Sequence, residues 1–178
     1  MRPLTVTWAP HIYTDIGWHN FQAWQKMGFD NELHTPNPLV HRKLTKLAFT
    51  NLLHPFQPFV LGQLNLAPKL ALEKNINLII YGDAYFEKGV GGNLYNISGF
   101  VNKDLFHSDS KDLYFGGIHI SELEKYNISK NDLHPYLPLR NKSEEIKNLT
   151  VLNLPYYLNY NPQSNFYFAS ENSDFKVN

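Results

Sequence analysis

Residues 77–81 read Asn77-Leu78-Ile79-Ile80-Tyr81, and this stretch decides how the rest of the chain is organised. A run of apolar, β-branched and aromatic residues this short predicts a strand. Because it is apolar on both of its faces, it suits a central parallel strand covered by helices on each side. Gly82 ends it, and Asp83 and Glu87 follow.

Upstream, residues 59–75 have helical character, and Pro68 is expected to open a second helical segment there. Before them, Asn37-Pro38 is a helix start: the Asn side chain accepts from the first free N–H groups, and proline loses nothing at the first helical position. Val40, Leu44, Leu47, Ala48 and Leu52 then fall on one stripe at helical spacing. Residues 29–35 give a weaker strand. Residues 15–27, with Asp15 as the expected cap and Gly28 as the stop, give a helix. Residues 4–8, Leu4-Thr5-Val6-Thr7-Trp8, lie between Pro3 and Pro10 and give a first strand. The order β-α-β-α-α-β predicts an α/β fold with a doubly wound parallel sheet, in which ligands sit beyond the carboxyl ends of the strands.

Downstream the pattern is less regular. Residues 89–110 are rich in Gly, Asn and Ser and read as a loop. Residues 121–126 and 129–133 read as short capped helices, and residues 149–154 as a late strand. Asn161-Pro162 repeats the helix-start chemistry before a Tyr- and Phe-rich helix to about Asn172. The expected division is a partial α/β domain over residues 1–88 and an irregular, α-rich continuation of it over residues 89–178. No internal repeat or linker separates them.

Composition narrows the function classes. The 178 residues hold 16 basic and 16 acidic side chains, so no net charge favours a nucleic-acid backbone. With no cysteine, disulfides, thiolate nucleophiles and thiolate metal sites are excluded. No apolar run approaches the length of a membrane span, and the N-terminus has no signal-peptide pattern, so a cytoplasmic protein is expected. The eight histidines include no His-Glu-x-x-His and no i, i+4 pair with a third ligand nearby; His11, His34, His41 and His54 can converge only through the fold.

Two places invite chemistry. Asp83 and Glu87 stand four residues apart just past the most apolar strand, a pair that suits Mg²⁺ held together with nucleotide phosphates, or simply a solvated loop with two ordinary acids. His54-Pro55-Phe56-Gln57-Pro58-Phe59 is a rigid apolar turn that aims His54 and Gln57 in set directions. It serves either a substrate pocket or a packed helix–helix corner. Likewise Arg42, next to His41, either grips an anion or faces water.

Several of these residues together resemble one family. They are Pro3-Leu4-Thr5-Val6-Thr7-Trp8-Ala9-Pro10, Thr14-Asp15-Ile16-Gly17-Trp18, Asn20-Phe21, His41-Arg42, Leu47-Ala48-Phe49, the His54–Phe59 run and Gly62-Gln63. Further on come Tyr156-Tyr157-Leu158-Asn159-Tyr160-Asn161-Pro162-Gln163 and Asp174-Phe175-Lys176. The chain resembles the N-acetyl sugar amidotransferases, PP-loop ATP pyrophosphatase relatives of lipopolysaccharide and pseudaminic or legionaminic acid biosynthesis, whose sheet is of the adenine nucleotide α-hydrolase type.

The resemblance implies that ATP, with Mg²⁺, adenylylates the acetamido oxygen of a sugar or sugar nucleotide. Ammonia from a glutaminase- and cyclase-type partner then replaces AMP to leave an acetamidino group. It implies ATP contacts from Thr7, Trp8, Ala9 and Gly82, substrate contacts from His41, Arg42, His54, Gln57 and Gln63, and catalytic roles for Asp83 and Glu87. Where the family reads Gly-Glu-Asn-x-x-Glu-Tyr-Gly, this chain has Gly82-Asp83-Ala84-Tyr85-Phe86-Glu87-Lys88-Gly89, so an asparagine amide is lost at Ala84. The family's Ser-Gly-Gly-x-Asp-Ser pyrophosphate loop occurs nowhere in the sequence. The chain is therefore expected to be a central fragment, inactive alone. The alternatives are a subunit completed by a separate loop-bearing chain, or a non-catalytic nucleotide or sugar-nucleotide binding module.

Overall fold

The structure, a computed structural model, describes residues 2–82, 99–108, 110, 112–140, 142–158 and 161–177. In chain order the elements are β1 (Leu4–Trp8), α1 (Asp15–Lys26), β2 (Asp30–His34), α2 (Pro38–Leu52), α3 (Gln57–Glu73) and β3 (Leu78–Tyr81). A 3₁₀ turn (Lys103–Phe106), β4 (Tyr114–Phe115), β5 (Ile118–His119) and a longer 3₁₀ segment (Ile120–Tyr126) follow. The chain continues with α4 (Lys130–Leu133), α5 (Ser143–Lys147), β6 (Thr150–Asn153), α6 (Leu154–Tyr157) and α7 (Pro162–Asn172). The fold is mixed α/β. Its elements form two compact units, Met1–Thr35 with Leu158–Asn178, and Pro36–Tyr157. The boundary expected between residues 88 and 89 lies outside the described residues.

In the first unit β1 and β2 pair in parallel, Leu4 opposite Asp30 and Trp8 opposite His34. Connecting two parallel strands requires a crossover, and α1 supplies it. Its N-cap is Thr14, whose Oγ1 accepts from the Gly17 N–H at 3.0 Å, so Asp15 is the first helical residue and not the cap expected from the sequence. Asn31 Nδ2 donates to both Thr5 Oγ1 and Thr7 Oγ1, at 2.8 and 2.9 Å, fixing the register of the two strands. Asn20 ties the distant end of the chain to α1: its amide donates to Lys176 O and its Oδ1 accepts from the Lys176 N–H, at 2.9 and 2.8 Å.

In the second unit β3 and β6 pair in parallel, Leu78 opposite Thr150 and Tyr81 opposite Asn153. The far edge of β6 is covered by residues 99–101: Phe100 bridges Leu152 antiparallel, and the N–H groups of Val101 and Asn153 donate to Val151 O and Gly99 O, at 3.0 and 2.9 Å. Among the described residues β3 is thus an edge strand, not the central one its composition predicts. Its core face carries Ile79 and Tyr81, while Ile80 on the other face is 46% exposed. Ala71, Ile79, Val101, Phe106, Leu149 and Val151 form the core beneath this pair.

Helix α3 runs unbroken through Pro68, where the sequence predicts a new segment. Proline cannot donate to the carbonyl four residues back, Leu64. The Tyr81 hydroxyl from β3 donates to that carbonyl instead, at 2.9 Å, so the broken helical bond becomes a tether between α3 and the strand. In the described part of the expected loop, Val101 and Phe106 are buried in the core, while Phe100 and Leu105 stay exposed.

The 3₁₀ turn at Lys103–Phe106, the β4–β5 hairpin, α5 and α6 have no counterpart in the sequence reading. Gly116 and Gly117 turn the hairpin with φ of 56° and 75°, the two positive values of a type I′ turn.

Candidate functional site

Parallel strands present their carboxyl ends to ligands because the connections leave there and open a crevice. The described residues hold two such ends, one in each unit. In the first unit, Trp8 and Ala9 are buried at the end of β1. The Trp8 and His34 rings meet with centroids 4.7 Å apart, and the Ala9 N–H donates to His34 O at 2.9 Å. Thr7 is engaged laterally by Asn31 as above. Of the residues expected near ATP, these three therefore share one strand end, while Gly82 stands at the end of β3 in the other unit. Gly82 is exposed, with no described residue within 4 Å of where a side chain would go. Asp83 and Glu87 lie outside the described residues.

The end of β3–β6 carries a residue that sequence reasoning missed. Asn153 closes β6, in register with Tyr81 and on the same face as core Val151, and is only 2% exposed. Among the described residues its Oδ1 has no hydrogen-bond partner. A buried acceptor left unpaired costs about 1–3 kcal/mol, so each case calls for a reason, such as a ligand. Directly after it, α6 brings Tyr156 and Tyr157 round the strand end with both rings half exposed, centroids 5.1 Å apart and 79° between planes. Gly99, whose carbonyl receives the Asn153 N–H, packs against both. A Cβ on Gly99 would sit 2.8 Å from Tyr156 Cδ1 and 2.7 Å from Tyr157 Cζ, so a side chain here would push both rings aside. An unmet acceptor under an aromatic corner can recognise a ligand that donates one hydrogen bond and presents an apolar face.

The substrate residues expected on α2 and α3 do not gather there. His41 is 3% exposed; its Nδ1 lies 2.8 Å from the Tyr136 hydroxyl, and the two rings stack with centroids 5.7 Å apart. Burial pushes the Tyr136 hydroxyl well above the ordinary phenol range, keeping it protonated in this pair. Asn65, also buried, donates to Tyr136 O at 2.9 Å and Leu61 O at 3.0 Å. This network seats the segment after α4 on α2 and α3. Arg42 and His54 are exposed, Gln63 is half buried, and Gln57 accepts at 2.7 Å from the Gly116 N–H of the hairpin.

Lys69 on α3 completes this seat by donating to His134 O. Partial burial lowers its pKa to about 8 from the usual 10.5, and the same cause, with the neighbouring Lys69 charge, holds His134 below the usual imidazole range. The unfolded chain therefore binds a proton at Lys69 that the native state sheds between pH 8 and 10. Stability should rise across that window, since the native state binds fewer protons there. Urea midpoints taken from pH 7 to 9, below the range in which the unfolded chain's tyrosines ionise, should climb for the parent chain and stay flat for Lys69→Met.

Among the described residues no group of three or more histidine, aspartate or glutamate side chains could hold a metal ion, and no helix is long and apolar enough to cross a membrane. No protein-family model matches the chain, and no curated protein matches it.

Proposed function

We propose that the chain is part of an ATP-dependent N-acetyl sugar amidotransferase working in the cytoplasm on precursors of surface polysaccharide or nonulosonic acids. In the proposed reaction the acetamido oxygen attacks the α-phosphorus of ATP·Mg²⁺, forming an O–P bond and releasing pyrophosphate and the amide proton. Ammonia from a glutaminase-type partner then adds to the activated carbon, and AMP departs with the oxygen, leaving an acetamidino group. Activation of this kind is needed because an amide oxygen is otherwise a very poor leaving group.

The observation that carries the reading is the end of the β3–β6 pair: an unmet buried acceptor, an aromatic corner and Gly82, with Asp83 and Glu87 next in sequence. It is supported by the sequence resemblance, above all the His54–Phe59 run. In the same proposal β3 belongs to a wider doubly wound sheet, which the exposed face of Ile80 and the one-sided pairing of β3 among the described residues favour: parallel strands are ordinarily covered on both faces.

The test is reconstitution. None of the 178 residues forms a Ser-Gly-Gly-x-Asp-Ser loop, whose N–H groups would supply the electrostatic stabilisation of departing pyrophosphate. The chain is therefore combined with a polypeptide that carries the loop, with ATP·Mg²⁺, ammonia and an acetamido sugar nucleotide. Stoichiometric AMP and a product in which NH replaces O are expected. ATP binding without AMP would instead identify a nucleotide-binding module and overturn the proposal.

A further inference from the structure

We infer that Asn153, Tyr156 and Tyr157 form the subsite for the acetamido sugar itself, an inference that rests on the amidotransferase reading for its substrate class. The three residues meet around Gly99: its carbonyl takes the Asn153 N–H at 2.9 Å, and both tyrosines occupy the space where its side chain would be. The ligand's polar requirement follows from Asn153. Its oxygen lacks a donor among the described residues, and the Asn χ2 torsion is broad enough for the amide to turn toward a donor arriving at the strand end. An acetamido N–H is such a donor.

The apolar requirement follows from the rings. At 79° to one another they make a corner, not a parallel slot. A flat nucleobase stacks best in a slot or on a free face, whereas a pyranose lays its C–H face on one ring while its substituents pass the edge of the other. The corner therefore favours the sugar over the adenine ring. The C-terminal position on a parallel pair is where such a ligand belongs in an open sheet.

The test uses the 178-residue chain, isotope-labelled, with methyl N-acetyl-β-glucosaminide, methyl 2-deoxy-β-glucoside and adenosine as probes in heteronuclear NMR. The glucosaminide should shift the Asn153 side-chain amide and the Tyr156 and Tyr157 ring signals. The 2-deoxyglucoside, which offers no donor at C2, should bind at least fivefold more weakly. Asn153→Leu replaces an unpaired buried polar group by an apolar one of similar size, so it should melt no lower than the parent while losing the preference for the acetamido probe. Tyr157→Ala should weaken both sugars together. Equal affinity for the two glycosides, shifts confined to other residues, or adenosine in place of the sugar at these signals would each overturn the subsite. If the glucosaminide binds as described but reconstitution yields no AMP, the subsite stands as a sugar site and the amidotransferase reading falls.

Discussion

Phe106→Ala is expected to destabilise the Pro36–Tyr157 unit by about 3–5 kcal/mol, the usual loss when a buried aromatic is truncated to a cavity. Phe106 is fully buried among Ala71, Ile79, Val101, Leu149 and Val151, and its ring stacks on Tyr81 with centroids 6.1 Å apart. Tyr81 ends β3, holds the Leu64 carbonyl that Pro68 leaves free, and pairs with Asn153. A void at Phe106 therefore loosens the strand end that carries the candidate site, not just the core. All three tryptophans, Trp8, Trp18 and Trp24, belong to the other unit. The transition should accordingly be followed by tyrosine near-UV circular dichroism and by amide exchange of residues 78–81 and 150–153. A fall in melting temperature of roughly 10–20 °C is expected for a unit of this size, and Phe106→Leu, which keeps most of the volume, should cost only about 1 kcal/mol. A loss below 1 kcal/mol for the alanine variant would mean that the β3–β6 pair does not depend on this core.

The parts of the fold that were legible in the sequence are those encoded locally. Strand β1, helix α2 with its Asn37 cap and helix α7 with its Asn161 cap follow from short-range rules, and they form where those rules place them. What was not legible depends on partners distant in sequence. Nothing near Pro68 foretells that a hydroxyl from Tyr81 will satisfy the carbonyl the proline orphans. Nothing near His41 foretells a tyrosine 95 positions away. Strand β3 reads as central because its residues are apolar on both faces, yet one face is open among the described residues. Composition reports what a strand can bury, not which neighbours are present. Asn153 escaped notice for the opposite reason. In a chain so rich in asparagine, one more at a strand end carries no signal until its burial and its unmet oxygen are seen. The β4–β5 hairpin escaped because strands of two residues have no periodicity to read.

The hairpin also decides what Gln57 does. Gly116 is buried in its turn, its N–H donates to Gln57 Oε1 at 2.7 Å, and its carbonyl accepts from Asn51 Nδ2 at 2.7 Å. Both sides of the turn are thus clamped, by the start of α3 and the end of α2. A Cβ on Gly116 would meet Leu47 Cβ at 2.7 Å and the Ala48 backbone N at 2.8 Å, and φ of 56° already disfavours a side chain. Gly116→Ala is expected to cost about 2–4 kcal/mol from the backbone strain and the overpacking together. Gln57→Ala removes the acceptor and leaves a buried N–H unpaired, for a loss of about 1–3 kcal/mol. Gln57→Glu keeps an acceptor oxygen in place, at a helix N-terminus that favours negative charge, and should recover most of that loss. The three urea midpoints separate two roles for this side chain. A residue whose work is to touch substrate would leave the midpoint unmoved on truncation to alanine and show its effect only in ligand affinity. A residue that clamps the turn gives the opposite pattern, with the glutamate variant as the rescue. The geometry predicts the clamp: the one side-chain oxygen of Gln57 is already spent on Gly116, so the rigid His54–Phe59 turn acts on the fold by anchoring the hairpin against α2 and α3.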